Sequence, residues 1–309
     1  MDLTEHYQTV SRQIRECRVV PFLGAGVNLS DRPEQYEWKP KQAQQLPSAS
    51  ELAGYLARRF HYCRPDCDLT RVSQYVEVIL GAIELNDELR TVFRPEYPLT
   101  ETHRFLSSLP PGPSGYPLFV TTNYDNLLER ALLERRQDFD LVYYDPGEES
   151  GGGRFWHRPP GEGPQLIDRK CKDQYEFLAR RPAILKIHGT VCADHEESEG
   201  FVITENHYIE FLAEDALQVM LPASLLAKLR RSHLLFLGYS LRDWNFRVFL
   251  RRLKRNPKER SRCWAIVALC DAAEEKFWAM HNTDMIAQDL KEYIPALRQA
   301  LEAGHAAEA

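Results

Sequence analysis

The chain has 309 residues, of which 43% are hydrophobic and 27% charged, and its 39 basic and 45 acidic residues leave a formal net charge of −6. This composition is ordinary for a soluble globular protein, and the negative charge argues against a nucleic-acid backbone as the main partner. The apolar runs are shorter than the roughly 18 residues of a membrane helix, and residues 1–6 do not resemble the start of a secretory signal.

The first third of the chain predicts one buried strand followed by a block of helices. Residues 4–16 have helical periodicity, and residues 18–23 form an apolar run that stops at Gly24, as a buried parallel strand does. Residues 31–47 are polar and contain several prolines, which predicts a loop. Further helices are predicted at 50–60, 69–80, 83–93 and 101–108, so a helical insertion occupies about residues 48–108.

The rest of the chain predicts alternating strands and helices. Strands are predicted at 117–122, 141–144, 183–187, 201–203, 234–237 and 264–269, and helices at 127–134, 243–253 and 287–302. Residues 146–164 are rich in Gly and Pro and predict a long loop. Together these elements predict an α/β fold with a Rossmann-like, doubly wound, mostly parallel sheet. We expect one domain over residues 1–309, with its core at about 1–30 and 111–286.

Four of the predicted strands end in glycine or in polar residues. Because ligands of doubly wound sheets bind beyond the carboxyl ends of the strands, we expect these four ends to meet at one site. The four segments are Gly24-Ala25-Gly26, Thr122-Asn123-Tyr124-Asp125, His188-Gly189 and Gly238-Tyr239-Ser240.

Each of these segments has a structural and a functional interpretation. The glycine turn is either a tight strand-to-helix connection or a phosphate-binding backbone. It does not complete the GxGxxG pattern, since Leu29 occupies the third glycine position. Asn123 and Asp125 are either helix caps or ligands of sugar hydroxyls.

The last two segments leave the same choice open. His188 is placed where the near-neutral pKa of a histidine suits a general base. Ser240 and Asn245 are candidate nucleotide contacts, although Asp243 or Asn245 equally well starts the next helix.

Taken together and in this order, the four segments resemble the motifs of the sirtuin family, over about residues 18–270. The resemblance is greater to the sirtuin-like domains of bacterial anti-phage systems. Those domains share the Thr-Thr-Asn-Tyr-Asp, Lys-Ile-His-Gly and Gly-Tyr-Ser-Leu-Arg-Asp segments, which are residues 121–125, 186–189 and 238–243 here.

Two departures from the sirtuin pattern concern zinc and phosphate. Sirtuin deacylases carry a four-cysteine zinc ribbon, and the corresponding interval here holds only Cys171 and Cys192, so no metal is expected. Asn28 stands where the family usually has a serine, and Ser30 is a possible substitute. The seven cysteines are an odd number and thinly spread, which predicts free thiols in a cytoplasmic protein.

The resemblance implies an NAD glycohydrolase that yields nicotinamide and ADP-ribose. It implies that Asn123, His188 and Asp125 are catalytic. The NAD-binding residues that it implies, including Ser30 as the substitute, are Gly24, Ala25, Gly26, Asn28, Ser30, Thr122, Gly238, Ser240 and Asn245.

By the same resemblance the chain is the toxic effector of an anti-phage system that acts by abortive infection. Since an unregulated NAD hydrolase kills its host, control is expected through a homo-oligomer or a regulatory partner. Such a partner is an ATPase or a nucleic-acid-sensing subunit, and no direct contact with nucleic acid or membrane is expected.

Three other functions remain as alternatives. A sensor that binds NAD or ADP-ribose without cleaving it would use the same cleft. An NAD-dependent deacylase is disfavoured by the missing zinc ribbon. A Rossmann dehydrogenase is disfavoured by the incomplete GxGxxG and by the lack of a strand-end acid about 20 residues further on.

Overall fold

A computed structural model describes residues 2–33, 35–64, 68–147, 153–168, 170, 175–191, 200–213, 221–239, 241, 244–253 and 261–308. Among the described residues, the first part of the chain holds one strand and seven helical segments before the second strand, including a second 3-10 turn at Pro40–Gln42. The other elements of this part are α1 (Leu3–Arg15), β1 (Val19–Leu23), a 3-10 turn (Ala25–Asn28), α2 (Ala49–Arg59), α3 (Leu69–Leu80), α4 (Ala82–Phe93), α5 (Glu101–Leu106) and β2 (Leu118–Thr121).

The remaining described elements continue the alternation of strands and helices. Up to the middle of the chain they are α6 (Leu127–Glu134), β3 (Asp140–Asp145), β4 (Arg154–Arg158), β5 (Gln165–Leu166), β6 (Ala183–Lys186), β7 (Gly189–Thr190) and β8 (Gly200–Phe201). They end with α7 (Glu205–Ala213), α8 (Ala223–Arg231), β9 (His233–Leu237), α9 (Trp244–Leu253), β10 (Cys263–Val267), α10 (Ala272–Ala279), β11 (Thr283–Ala287) and α11 (Leu290–Glu308).

Nine strands form one sheet in the order β11-β10-β9-β1-β2-β6-β3-β4-β5. All neighbours from β11 to β3 pair in parallel, and β4 and β5 add an antiparallel edge. The predicted Rossmann-like, doubly wound fold is therefore confirmed. The chain first builds outward from β1 through β2 and later returns to its other side with β9, so the strand order reverses at β1. That point is where such sheets bind their ligands.

Alternate residues of the central strands enter two separate cores, one on each face of the sheet. In β1, Val20 and Phe22 belong to one core and Val19 and Leu23 to the other. Since both faces are covered, the strand is apolar throughout, which is why it was recognisable from sequence.

A third core lies within the helical insertion. Leu56 of α2, Val76 of α3 and Leu89 of α4 are fully buried there, and Tyr124 and Phe201 of the sheet domain join them. Helix α2 starts with a capping box in which Ser48 and Glu51 exchange hydrogen bonds. The insertion is thus packed directly on the segment that follows β2.

Three predicted boundaries differ from the structure. The expected loop at 146–164 contains strand β4, which pairs with β3, while residues 148–152 lie outside the described residues. The expected helix at 287–302 starts at Leu290 and continues to Glu308, because residues 283–287 pair with β10 as a strand. The expected strand at 201–203 is reduced to β8, which pairs with β7 in a separate small sheet. Among the described helices, none is both long and apolar enough to cross a membrane.

At the point where the strand order reverses, the turn after β1 lies against the end of β9 backbone to backbone. The Gly24 N–H donates to Leu237 O (3.0 Å) and the Gly26 N–H to Gly238 O (2.9 Å). A Cβ on Gly26 would lie 2.7 Å from the Gly238 Cα, and one on Gly238 would lie 2.3 Å from the Val27 nitrogen. Gly238 also has a φ of +62°. Glycine is required at both positions because no side chain fits between the two loops.

Gly26→Ala is therefore expected to lower the free energy of unfolding by about 1–3 kcal/mol, because the added methyl overpacks a rigid backbone contact. The control is Gly54→Ala in α2, whose Cβ would approach only the end of the Arg58 side chain at 3.4 Å. That change should be neutral or stabilising by up to about 1 kcal/mol. Urea unfolding followed by circular dichroism measures both, and equal stability of Gly26→Ala and the parent chain would show that the contact is not tight.

Candidate active site

A cleft of about 140 Å³ lies beyond the carboxyl ends of β1, β2 and β6, under the helical insertion. The strand ends contribute Ala25, Asn28, Thr122, Asn123, Tyr124, Asp125, His188 and Tyr239, and the insertion with α7 contributes Pro47, Ser48, Ala49, Leu52, Leu69, Phe93 and Tyr208. The structure thus brings residues of all four strand-end segments into one cleft.

Asn123 is held close to the glycine turn. Its backbone N–H donates to Thr121 Oγ1 (2.9 Å), and its side-chain Nδ2 donates to Gly24 O (3.2 Å). The backbone N–H of the neighbouring Thr122 donates to Leu23 O (3.2 Å), which ties the segment after β2 to the end of β1. Asn123 Oδ1 accepts no hydrogen bond from the described residues, so an acceptor remains available in the cleft.

Asp125 is buried and both of its carboxylate oxygens are engaged. Oδ1 accepts from the Leu127 N–H (3.1 Å) at the start of α6, and Oδ2 accepts from Asn28 Nδ2 (2.8 Å). Part of its role is therefore a local turn at the start of α6, where the N-cap position itself is Asn126, whose side chain makes no capping hydrogen bond. The other part is to orient Asn28, whose buried Oδ1 has no partner among the described residues.

Tyr124 anchors the segment between these two residues. Its hydroxyl donates to Val202 O (2.9 Å), and its ring lies edge-on to Phe93 and Phe201. Burial raises the pKa of this hydroxyl above its ordinary range. The side chains on either side of Tyr124 are consequently directed towards the cleft while Tyr124 enters the insertion core.

His188 follows β6 and is almost fully buried against aromatic rings. Its ring lies edge-on to Tyr208 and Phe211, with centroid distances of 5.2 and 5.9 Å. Burial among these rings lowers the pKa of His188 from 6.5 to about 3, so the near-neutral pKa expected from the sequence is wrong. The imidazole is neutral at physiological pH, and neither ring nitrogen bonds to another described residue.

A second cleft of about 550 Å³ lies on the other side of the glycine turn, beyond the ends of β9, β10 and β11. Ala25 and Asn28 line the first cleft, whereas Gly26 and Ser30 line the second. Ser30 donates to Val27 O (3.1 Å). Its placement separates it from the cleft that holds Asn28. The other lining residues include Gly238, Val267, Ala268, Gln288 and Lys291.

Between the two clefts, the Ala25 N–H is the free donor of the glycine turn. The Gly24 and Gly26 amides are used by β9, and the Ala25 amide makes no hydrogen bond to a described residue. The sequence offered the three amides of the glycine turn as phosphate donors. Of these, the Ala25 amide, at the start of a short 3-10 turn, remains available.

Some sequence-based candidates are not described. Ser240 lies outside the described residues, and so does the side chain of Asn245, although its backbone belongs to α9. Cys171 and Cys192 also lie outside them. Within the described part of the chain, no group of three His, Cys, Asp or Glu residues is placed to hold a metal ion.

Sequence reasoning missed the aromatic wall of the cleft. Tyr208 of α7, about 20 residues after His188, and Phe93 of the insertion line the cleft, and Phe211 of α7 packs on the His188 ring. Helical periodicity indicates a buried face in such segments but not which polar residue that face covers.

The buried histidine predicts a loss of stability in acid. The unfolded chain takes up a proton on His188 near pH 6.5, whereas the folded chain keeps it neutral to about pH 3. The free energy of unfolding should therefore fall as the pH drops below about 6.5. His6 and His103, whose pKa values burial lowers to about 4, act in the same direction.

Urea unfolding between pH 7.5 and pH 5 measures this dependence. His188→Gln should reduce the slope, and Asn206→Gln, an exposed substitution that removes no titrating group, should leave it unchanged. An identical slope in His188→Gln and the parent chain would contradict the assignment of His188 as a buried neutral group.

The family model of the SIR2-like domain matches residues 117–286. "Defense-associated sirtuin 2" of Bacillus subtilis is 22% identical over 260 residues, which are 84% of this chain and 21% of that protein. "NAD(+) hydrolase ThsA" of Enterococcus faecium is 25% identical over 206 residues, which are 64% of this chain and 34% of that protein. This chain therefore spans well under half of either relative, but since the family model covers more than half of its 309 residues, it belongs to the SIR2-like family.

Proposed function

We propose that this protein is an NAD glycohydrolase that cleaves NAD to nicotinamide and ADP-ribose. The observation that carries the proposal is the convergence of Asn123, Asp125 and a neutral His188 on the glycine turn in one cleft. The SIR2-like membership supports it, as does a relative named as an NAD(+) hydrolase at 25% identity.

In this proposal NAD lies across both clefts. The nicotinamide riboside half occupies the cleft with Asn123 and His188, and the adenosine half occupies the larger cleft beyond β10. The pyrophosphate then crosses the glycine turn, where the Ala25 N–H donates to it. Gly24 and Gly238 pack against each other's loops beside this path, and Ser240 and Asn245 remain proposed contacts on the adenosine side.

The chemistry is hydrolysis of the bond between the nicotinamide nitrogen and the ribose anomeric carbon. This bond breaks with its electron pair going to the nicotinamide ring, which becomes neutral. A water oxygen bonds to the anomeric carbon and loses one proton. The protein needs to hold the ribose, place the water and accept that proton.

Asn123 and His188 suit these tasks. Asn123 Oδ1 accepts a hydrogen bond from the ribose or the water, and neutral His188 accepts the proton from water directly or through a ribose hydroxyl. A pKa of about 3 makes His188 a weak base before reaction. The attacking water becomes more acidic as positive charge develops on the sugar, so proton transfer is favoured late in the bond-breaking step.

Asp125 contributes through Asn28 as well as through its own charge. It orients Asn28 by a 2.8 Å hydrogen bond, and the unpartnered Asn28 Oδ1 is a further acceptor. We propose that Asp125 and Asn28 together bind the nicotinamide ribose or the carboxamide, and that Thr122 lines the same subsite.

We further propose that the chain is the effector of an anti-phage defence system, cytoplasmic and inactive until assembly or a regulatory partner triggers it. A relative named as defence-associated supports this role.

The surface for such an assembly or partner contact is proposed on the insertion. Helix α11 buries Leu297 and Leu301 in the core on one face of the sheet, whereas the insertion exposes Val78, Ile79, Leu80 and Ile83. Such an apolar surface supports the insertion as the contact surface for a second copy or a regulatory subunit.

The second candidate is a sensor that binds NAD or ADP-ribose without hydrolysis. The low pKa of His188 favours it, because a weakly basic imidazole is better suited to accepting a hydrogen bond than to removing a proton. Release of nicotinamide by the purified chain would exclude the sensor.

Asn123→Ala and His188→Ala are expected to lower kcat by about a hundredfold or more, because each removes a group that acts on the water or the ribose. Both should keep the circular dichroism spectrum and a thermal shift with NAD. Matched controls are the exposed Asn206→Ala and His281→Ala. Nicotinamide release measures kcat, and normal turnover in both variants would mean that the cleft is assigned wrongly.

Ala268→Trp should affect binding rather than chemistry. Ala268 is exposed and lines the second cleft, so an indole there obstructs the adenosine half of NAD. We expect KM to rise about tenfold with kcat little changed, since only binding remote from the reacting bond is lost. Ala268→Ser is the control, and an unchanged KM in Ala268→Trp would place the adenosine elsewhere.

A further inference from the structure

A buried lysine lies directly beneath the proposed site. Lys186, the last residue of β6, is 0% exposed. Its ammonium contacts Glu129 Oε1 (2.7 Å), Thr190 Oγ1 (3.0 Å), Tyr124 O (3.2 Å) and the carbonyl of Asp125. We call these groups the Lys186 cluster. Three ammonium hydrogens serve four acceptors, so no donor is left for a ligand.

Burying the charged groups of the Lys186 cluster in the core is energetically costly. Taking an ammonium and a carboxylate out of water costs several kcal/mol, and well-packed apolar side chains often serve stability equally well. The Glu129 side chain is only 5% exposed. Stability alone therefore gives no reason for a charged pair here, and what distinguishes it is the set of backbone groups that it binds.

Those groups belong to both halves of the site. The Tyr124 and Asp125 carbonyls follow Asn123 in the segment after β2, and Thr190 follows His188 in the segment after β6. The Tyr124 carbonyl also accepts from the Val191 N–H (3.0 Å). The cluster is a direct tie between the two loops, with helix α6 joined to it through Glu129.

We propose that Lys186, neutralised by Glu129, is a positioning residue that sets the separation of Asn123 and His188 across the cleft. This inference rests on the proposed function, in that the two residues must act on the same ribose. Lys186 touches neither substrate nor water. It acts by holding the Tyr124 and Asp125 carbonyls and the Thr190 hydroxyl at one point.

The first test removes both charges at once, so that neither is left buried and unpaired. Lys186→Met with Glu129→Gln should keep KM for NAD within about threefold while kcat falls about tenfold to a hundredfold, because small misplacements of reacting groups slow chemistry more than binding. The control pair is Asp140→Asn with Arg181→Met. It removes a partly buried ion pair (2.9 Å) at the amino-terminal ends of β3 and β6, away from the cleft, and should leave kcat unchanged.

A second pair of variants keeps the proposal testable if the double variant does not fold. Thr190→Val preserves the shape of the side chain and removes its hydroxyl, whereas Thr190→Ser retains the hydroxyl. Thr190→Val should lower kcat with little change in KM, and Thr190→Ser should stay close to the parent value. Parental kcat in Thr190→Val, or a loss in the double variant no larger than in the control pair, would overturn the proposal.

Amide hydrogen exchange distinguishes failure of this inference from failure of the proposed function. Peptides covering residues 121–126 and 187–191 should exchange faster in Thr190→Val and in the Lys186 double variant than in the parent chain and the control pair. If the parent chain releases no nicotinamide but this difference is seen, the tie between the loops stands independently of the hydrolase assignment. Unchanged exchange in these peptides overturns the positioning role whatever the activity.

Discussion

Backbone packs on backbone where the turn after β1 meets the end of β9, and the rest of the site is built around that contact. Gly24 and Gly26 donate to the Leu237 and Gly238 carbonyls, and an added methyl on Gly26 would lie 2.7 Å from Gly238. Because this contact occurs where the strand order reverses, it divides the ligand-binding edge of the sheet into two clefts. A molecule with two bulky ends and a slim centre fits that shape.

The polar groups around the contact largely satisfy one another, and the few that do not define the binding capacity of the site. Asp125 is engaged by Asn28 and α6, and Lys186 by its four acceptors. Within the described part of the chain, the groups left over include Asn123 Oδ1, Asn28 Oδ1 and one His188 ring nitrogen as acceptors, and the Ala25 N–H and the other His188 ring nitrogen as donors. Acceptors match the hydroxyls of a ribose, and a backbone donor matches a phosphate oxygen.

The sheet was predictable because its central strands are apolar on both faces and stop at glycine or polar residues, as β1 does at Gly24. The edge strands β4 and β11 were not predictable in this way. Strand β4 reads Arg-Phe-Trp-His-Arg and only Phe155 is fully buried, so a Gly-rich loop was the simpler prediction. Strand β11 pairs with a neighbour on one side only and contains the partly exposed Asp284. Its sequence therefore lacks the apolar pattern of a buried strand, and it was not predicted.

The meeting of Asn123, Asp125 and His188 in one cleft followed from topology, but their chemical state did not. The pKa of His188 depends on Tyr208 and Phe211, which arrive from a helix that carries no motif. The use of the Gly24 and Gly26 amides depends on β9, more than 200 residues away in the sequence. Lys186 stands within the Lys-Ile-His-Gly segment, yet only the packed structure shows that its ammonium joins the loops carrying Asn123 and His188.

The measurement that tests the central claim most directly is product analysis of the purified chain with NAD, over a range of protein concentrations and without any peptide substrate. NAD, nicotinamide and ADP-ribose are separated by chromatography, and binding is followed on the same samples by thermal shift. The account predicts loss of NAD with nicotinamide and ADP-ribose formed in equal amounts. NAD that binds but remains intact at every protein concentration would contradict a hydrolase that self-assembly switches on, and would leave either a binding module or an enzyme that requires its regulatory partner.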